Sequence, residues 1–293
     1  MPTIKQPVAG ITSPVPGAFC YTKMTVGPRY HWAKYKIGIP ADVANPVTVE
    51  QLIGEIKINI NGAAVREVDA TILRNLARFN NLTVADDEIP IYFVEPWQET
   101  PQQMYRGAWP TPAALVRSFE IQMFVRAGVL TPAQAAGLTI TAYEAHDWNI
   151  PYRINGVDNW IGSPSIPEGG SFLQSIMHQT TFTQPISAGV YNFTTLPLNQ
   201  PINRLFLQKQ DGSAINRVEV LADDVSYFDV DAETNALALA DLNMSASVWT
   251  FPIPFDEYGT ADAIIGRRSL NVRIHSPTAG AVTILNESLQ GSY

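Results

Sequence analysis

Alternation of apolar and polar side chains, the signature of a strand with one buried face, recurs in short runs along this chain. It is plain at Ile56-Lys57-Ile58-Asn59-Ile60, at 89–94, at 119–125 and at 138–143. Further runs follow at 180–182, 189–193, 204–208, 218–221, 249–253, 269–274 and 281–285. Asn61-Gly62 separates two such runs, and Asn-Gly favours a two-residue hairpin because a type I′ turn needs φ > 0 twice. Helical periodicity is confined to two stretches. In one, at 70–79, Leu73, Leu76 and Phe79 share a face and Asp69 stands at the cap position. The other, at 131–137, has a Thr N-cap, Pro in the first turn and a Gly stop. The pattern predicts an all-β protein with short helical insertions.

The chain also contains itself twice. The run around Asn61-Gly62 is echoed around Asp211-Gly212 at an offset of 150 residues. Arg117-Ser118-Phe119-Glu120-Ile121 returns as Arg268-Ser269-Leu270-Asn271-Val272 at an offset of 151. The aromatic-proline run 92–97 is matched by 250–255, segment 112–116 by 261–265, and the helical 73–79 by a shorter 223–228. Four segments result. Residues 1–18, with Pro2, Pro7, Pro14 and Pro16, read as an extended arm, disordered or laid along a neighbour. Residues 19–145 form a first β-body, and 146–170, rich in Gly and Pro and carrying Trp148 and Trp160, form a linker. Residues 171–293 form a second body. The strand spacing fits a sandwich in each body, and eight strands in two Greek keys make a jelly roll.

Composition narrows the functions. Charged residues are 16% of the chain, below the usual ~25%, which fits a protein that buries much of its outside against other copies. Net charge is −8 with no basic run, so direct nucleic-acid binding, which needs clustered cations, is disfavoured. Cys20 is the single cysteine; it excludes an internal disulfide framework and a cysteine-based zinc site, and reads as a small buried apolar residue. The start, Met1 to Pro7, lacks the apolar core of a signal peptide, and no window approaches a membrane span. Synthesis in a host cytoplasm is the expectation.

Catalytic signatures are missing. His31, His146, His178 and His275 form no metal-ligating pair, and neither a Gly-x-Ser-x-Gly elbow nor a phosphate loop occurs. No enzyme is expected. Asp223, Asp224, Asp229 and Asp231 read either as solvated acidic turns or as an irregular Ca2+ site, and Ca2+ is the one cofactor considered. Carboxylates beside aromatics (Glu95-Pro96-Trp97, Asp147-Trp148, Asp158-Asn159-Trp160) admit a sugar site, packing being the plainer reading.

Thr22-Lys23-Met24-Thr25-Val26-Gly27-Pro28-Arg29-Tyr30, then Ile58 to Gly62, Ile72 to Leu76, Ile91 to Pro96 and Ile264 to Ile274 together resemble the major capsid proteins of corticoviruses. These are tailless icosahedral bacteriophages with an internal membrane. The resemblance implies a double jelly roll, two tandem jelly-roll sandwiches. It further implies a homotrimer whose six jelly rolls make a pseudo-hexagonal tile in the virion, and Ca2+ in some members. The implied partners are copies of itself, a vertex or penton protein and viral membrane proteins. On that reading Pro7, Pro14 and Pro16 in the arm, and the loop from Trp97 to Trp109, are expected to touch neighbours. Two alternatives stay open: a two-cupin metal enzyme, which lacks His-x-His in both halves, and a carbohydrate-binding β-sandwich.

Overall fold

The computed structural model describes residues 3–96, 108–111, 116–148, 177–242, 244, 249–255 and 263–289. The chain divides into two compact units at residues 172/173, with 78–81 grouped with the second.

The first unit runs β1 (Ile4–Pro7), β2 (Phe19–Lys23), β3 (Arg29–Gly38), α1 (Val49–Leu52), β4 (Ile53–Ile60), β5 (Ala63–Asp69), α2 (Ala70–Phe79), β6 (Glu88–Tyr92), β7 (Trp109–Pro110), β8 (Phe119–Val125), α3 (Pro132–Ala136) and β9 (Thr139–Asp147). One of its sheets has the order β1-β9-β3-β6, with the two-residue β7 also pairing β3; the other has β5-β4-β8-β2. The second unit runs β10 (Met177–Ile186), β11 (Gly189–Phe193), β12 (Ile202–Lys209), β13 (Arg217–Ala222), β14 (Val225–Asp231), α4 (Ala232–Asp241), β15 (Phe251–Pro254), β16 (Leu270–Ser276) and β17 (Gly280–Leu289). Its sheets are β15-β12-β17-β10 and β11-β16-β13-β14.

Setting β7 aside, the two units have one topology. In each, the first, eighth, third and sixth strands make one sheet, and the second, seventh, fourth and fifth make the other. That is the jelly-roll order, two interlocked Greek keys. In each, a helix follows the fifth strand: α2 in the first unit, α4 in the second.

Sequence pattern explains the placement. In β8, Phe119, Ile121, Met123 and Val125 are buried and alternate with half-buried partners. In β16, Leu270, Val272 and Ile274 do the same. The core of the second unit joins these to Val218 and Val220 of β13, Leu205 and Leu207 of β12, and Val282 and Ile284 of β17. Burying each such side chain stabilises the fold by roughly 1.5–3 kcal/mol. The caps are as the sequence predicts. Asp69 accepts from Thr71 N at 2.9 Å, and Thr131 and Gln134 make a reciprocal capping box on α3.

Several expectations are corrected. Within the segment 1–18, read as an extended arm, residues 4–7 form a strand of the first unit's own sheet. β1 pairs antiparallel with β9, from Ile4 opposite His146 to Pro7 opposite Tyr143, and is the first strand of the first jelly roll. Beyond it, Thr12 N donates to Tyr21 O and Gly17 N to Val125 O. The linker begins later than residue 146, because His146 and Asp147 complete β9. Residues 225–231, expected to be helical in part, are strand β14, and the helix comes after them.

The echo between Asn61-Gly62 and Asp211-Gly212 is not a structural equivalence either. Asn61-Gly62 closes the β4–β5 hairpin, Ile60 pairing Ala63. Asp211-Gly212 instead turns the chain out of β12 toward a strand of the other sheet. The buried Lys209 holds this corner, its ammonium donating to Ser213 Oγ at 2.6 Å and Thr278 O at 2.8 Å.

Candidate assembly surface

Two hairpin tips carry the internal repeat. At the β4–β5 tip Asn61 (φ 53) and Gly62 (φ 80) both have positive φ. At the β13–β14 tip, where Ala222 pairs Val225, Asp223 (φ 50) and Asp224 (φ 66) do the same. Asn and Asp tolerate this region better than other side chains. Asn61 Oδ1 accepts from the backbone N–H of Arg117 at 2.6 Å and of Ser118 at 3.4 Å. Asp223 Oδ1 accepts from Arg267 at 3.1 Å, Arg268 at 2.6 Å and Ser269 at 3.0 Å. Each tip thus clasps the chain as it enters the seventh strand. These N–H groups, Ser269 first, hold the Asp223 carboxyl below the usual carboxylate range.

The other aspartates considered for Ca2+ are engaged elsewhere. Asp229 forms a two-point ion pair with Arg217, at 2.6 and 2.7 Å, and the guanidinium lowers its pKa. Asp231 is the N-cap of α4, accepting from Thr234 N at 2.8 Å, which lowers its pKa. Asp224 is exposed. These four do not fit one oxygen cage: no group of three or more His, Cys, Asp or Glu placed to hold a metal ion occurs among the described residues.

The carboxylate of Asp147-Trp148 does not open onto a sugar site. Asp147 is buried and binds Arg29 (Nη2 to Oδ2, 2.7 Å) and His31 (Nε2 to Oδ2, 2.7 Å). Beside it Glu144 accepts from Gln6 Nε2 at 2.9 Å and lies 3.1 Å from His146 Nδ1. Burial, reinforced by Glu144, raises the Tyr30 phenol well above its ordinary pKa. This polar layer ties β1, β3 and β9 together at one end of their sheet.

Of the residues expected to touch neighbours, Pro7 is exposed on β1, and Pro14 and Pro16 are half-buried. Trp97 lies outside the described residues. Trp109 is corrected to a core position. It is fully buried, 4.8 Å from the Phe93 ring and 5.9 Å from Phe119, with the Arg66 guanidinium 4.7 Å over its face. A surface that is instead exposed lies at β14 and α4, where Val225, Tyr227 and Leu237 stand out. Charge segregates along the chain, residues 218–266 holding ten Asp and Glu and no Lys, Arg or His, but on this sheet Asp229 pairs with Arg217, and Glu219 with Arg273.

Comparisons with known proteins agree with this architecture. Residues 6–145 match the family described as viral coat protein P2 N-terminal domain, and residues 176–292 match viral coat protein P2 C-terminal domain. The major capsid protein P2 of Bacteriophage PM2 superposes with a TM-score of 0.75 at 13% identity, covering 98% of this chain and 96% of that one. A chain of Sulfolobus Turreted Icosahedral Virus gives 0.68 at 11% identity, covering 99% and 92%. A chain of the PBCV-1 virus capsid gives 0.63 at 10% identity, covering 98% and 92%. No curated protein matches.

Proposed function

Because the chain belongs to the viral coat protein P2 family, we propose that it is the major capsid protein of its virion and builds the shell as a homotrimeric tile. As a coat protein it resides in the virion capsid, and its role there is structural. The observation that carries the reading is the repeated strand order in the two units. Three chains of two like units present six similar lobes, so a three-fold assembly fills a nearly six-fold position, while the two lobe types adapt to different neighbours.

The partners on this reading are the other two chains of the trimer, adjoining tiles, a vertex protein, and membrane proteins of an internal bilayer. Asp223 and Asp224 sit in a turn, Asp231 caps a helix and Asp229 pairs with Arg217. Negative-stain class averages of the purified oligomer test the proposal. Six-lobed particles with three-fold symmetry are expected, and two-lobed single-chain particles would overturn it.

A further inference from the structure

One end of the first unit gathers the C-terminal ends of β2 and β9, the N-terminal ends of β1, β3 and β8, and the β4–β5 tip. The Tyr30 and Phe119 rings, 5.1 Å apart, join its two sheets there. Lys5, Lys23 and Arg117 are exposed at this end, and none of them forms an ion pair with a described residue. The described acidic side chains nearby are withdrawn: Asp147 is buried against Arg29, Glu144 is buried beside His146, and Glu120 is half-buried opposite Lys23.

The far end of the same unit has the reverse sign. Asp42 and Asp86 are exposed there, in the loops that follow β3 and α2, while Lys36 is paired with Asp87 and Arg126 with Asp69. The first unit is therefore polarised along its strands.

The cationic end also carries an anchored aromatic. Trp148 is 50% exposed, yet its ring stands edge-on to His146 at 6.0 Å and closes over Gly27, where an added Cβ would come within 2.9 Å of it. Ile4 is exposed beside it on β1. An indole held at the surface among cations suits a membrane–water boundary, where Trp sits at headgroup level and Lys and Arg are drawn to anionic lipid. Nucleic acid asks instead for a dense cationic track.

We infer that this end of the first unit rests on an anionic lipid surface, the bilayer inside the shell, with Lys5, Lys23 and Arg117 facing lipid phosphates and Trp148 at the level of the headgroups. This rests on the reading above of a coat protein around an internal bilayer. The acidic far end then points away from the lipid. One chain holds the surface weakly, and a tile of three chains multiplies the contact.

Flotation of the purified full-length oligomer with vesicles tests the contact. Binding is expected to vesicles of phosphatidylcholine with phosphatidylglycerol and not to phosphatidylcholine alone, and it should fall as salt rises. Lys23→Gln with Arg117→Gln should weaken it about tenfold or more, and Trp148→Ala should weaken it as well. Arg267→Gln with Arg268→Gln makes the same change of charge at exposed positions of the second unit and should leave binding unchanged; circular dichroism verifies that each variant is folded. Equal loss in the two double variants assigns binding to overall charge and overturns the site. A six-lobed oligomer that floats with neither vesicle, or that binds duplex DNA and no vesicle, overturns the contact and leaves the capsid reading standing. Failure to form that oligomer overturns the capsid reading and this contact with it.

Discussion

Asn61 and Asp223 are the same residue of the fold. Each sits at φ near +50° in the first position of a two-residue hairpin between the fourth and fifth strands. Each donates its own N–H to a serine carbonyl, Asn61 to Ser118 at 2.9 Å and Asp223 to Ser269 at 3.0 Å. Each also accepts from the Arg-Ser backbone that precedes the seventh strand. The Arg117-Ser118 and Arg268-Ser269 echo is therefore the repeat of a clasp.

Removing the neutral clasp has a local cost. Asn61→Ala loses the bonds to Arg117 and Ser118 and places a Cβ residue without a local acceptor at positive φ. The expected destabilisation is about 1–2 kcal/mol, read as a lower urea midpoint at unchanged slope. Asn61→Asp, which imitates the second unit, should retain most of the stability at neutral pH.

The charged clasp makes the second unit sensitive to acid. The folded Asp223 carboxyl titrates below its ordinary 3.8, so its stabilisation is complete above that value and is lost as pH falls through the folded pKa. Asp211, Asp229 and Asp231 are lowered too, so wild-type melting temperature should drop steeply below about pH 4. In Asp223→Asn the drop should be shallower, and the gap between the two proteins should close toward acid. Parallel curves would remove Asp223 from the acid response.

Trp109 is a core anchor. Trp109→Ala empties a site between Phe93, Phe119 and Arg66 and should cost about 3–5 kcal/mol. A change confined to association, with thermal stability intact, would return Trp109 to the surface.

Asp147 joins two strands through charge. Asp147→Asn removes the carboxylate charge facing the buried Arg29, and breaking such a pair typically costs about 3–5 kcal/mol. Calorimetry should show the transition of the first unit moved to lower temperature. Equal stability would mean that the Arg29 charge finds another partner.

Deleting residues 1–8 should destabilise the first unit, since β1 covers one edge of β9 and Gln6 binds Glu144. A protein of unchanged melting temperature that still fails to form shells would restore the picture of a detached arm.

The fold class and the division into two sandwiches were legible because strands such as β4, β8 and β16 alternate cleanly. β3 escaped notice. A bulge between Tyr30 and Trp32 interrupts its alternation, and its buried positions mix Arg29, Tyr30, His31 and Tyr35 with Ala33 and Ile37. β1 escaped because an exposed four-residue edge strand has no buried face to mark it. The Asp211-Gly212 echo misled because an Asp-Gly turn fits a corner between sheets as well as a hairpin within one.

The most direct measurement is the native mass of the full chain by light scattering across concentration. A particle of three times 32.2 kDa is expected, with no larger closed species short of shells. A mass that stays at 32.2 kDa at every concentration, or settles at twice that value, would contradict the three-fold tile.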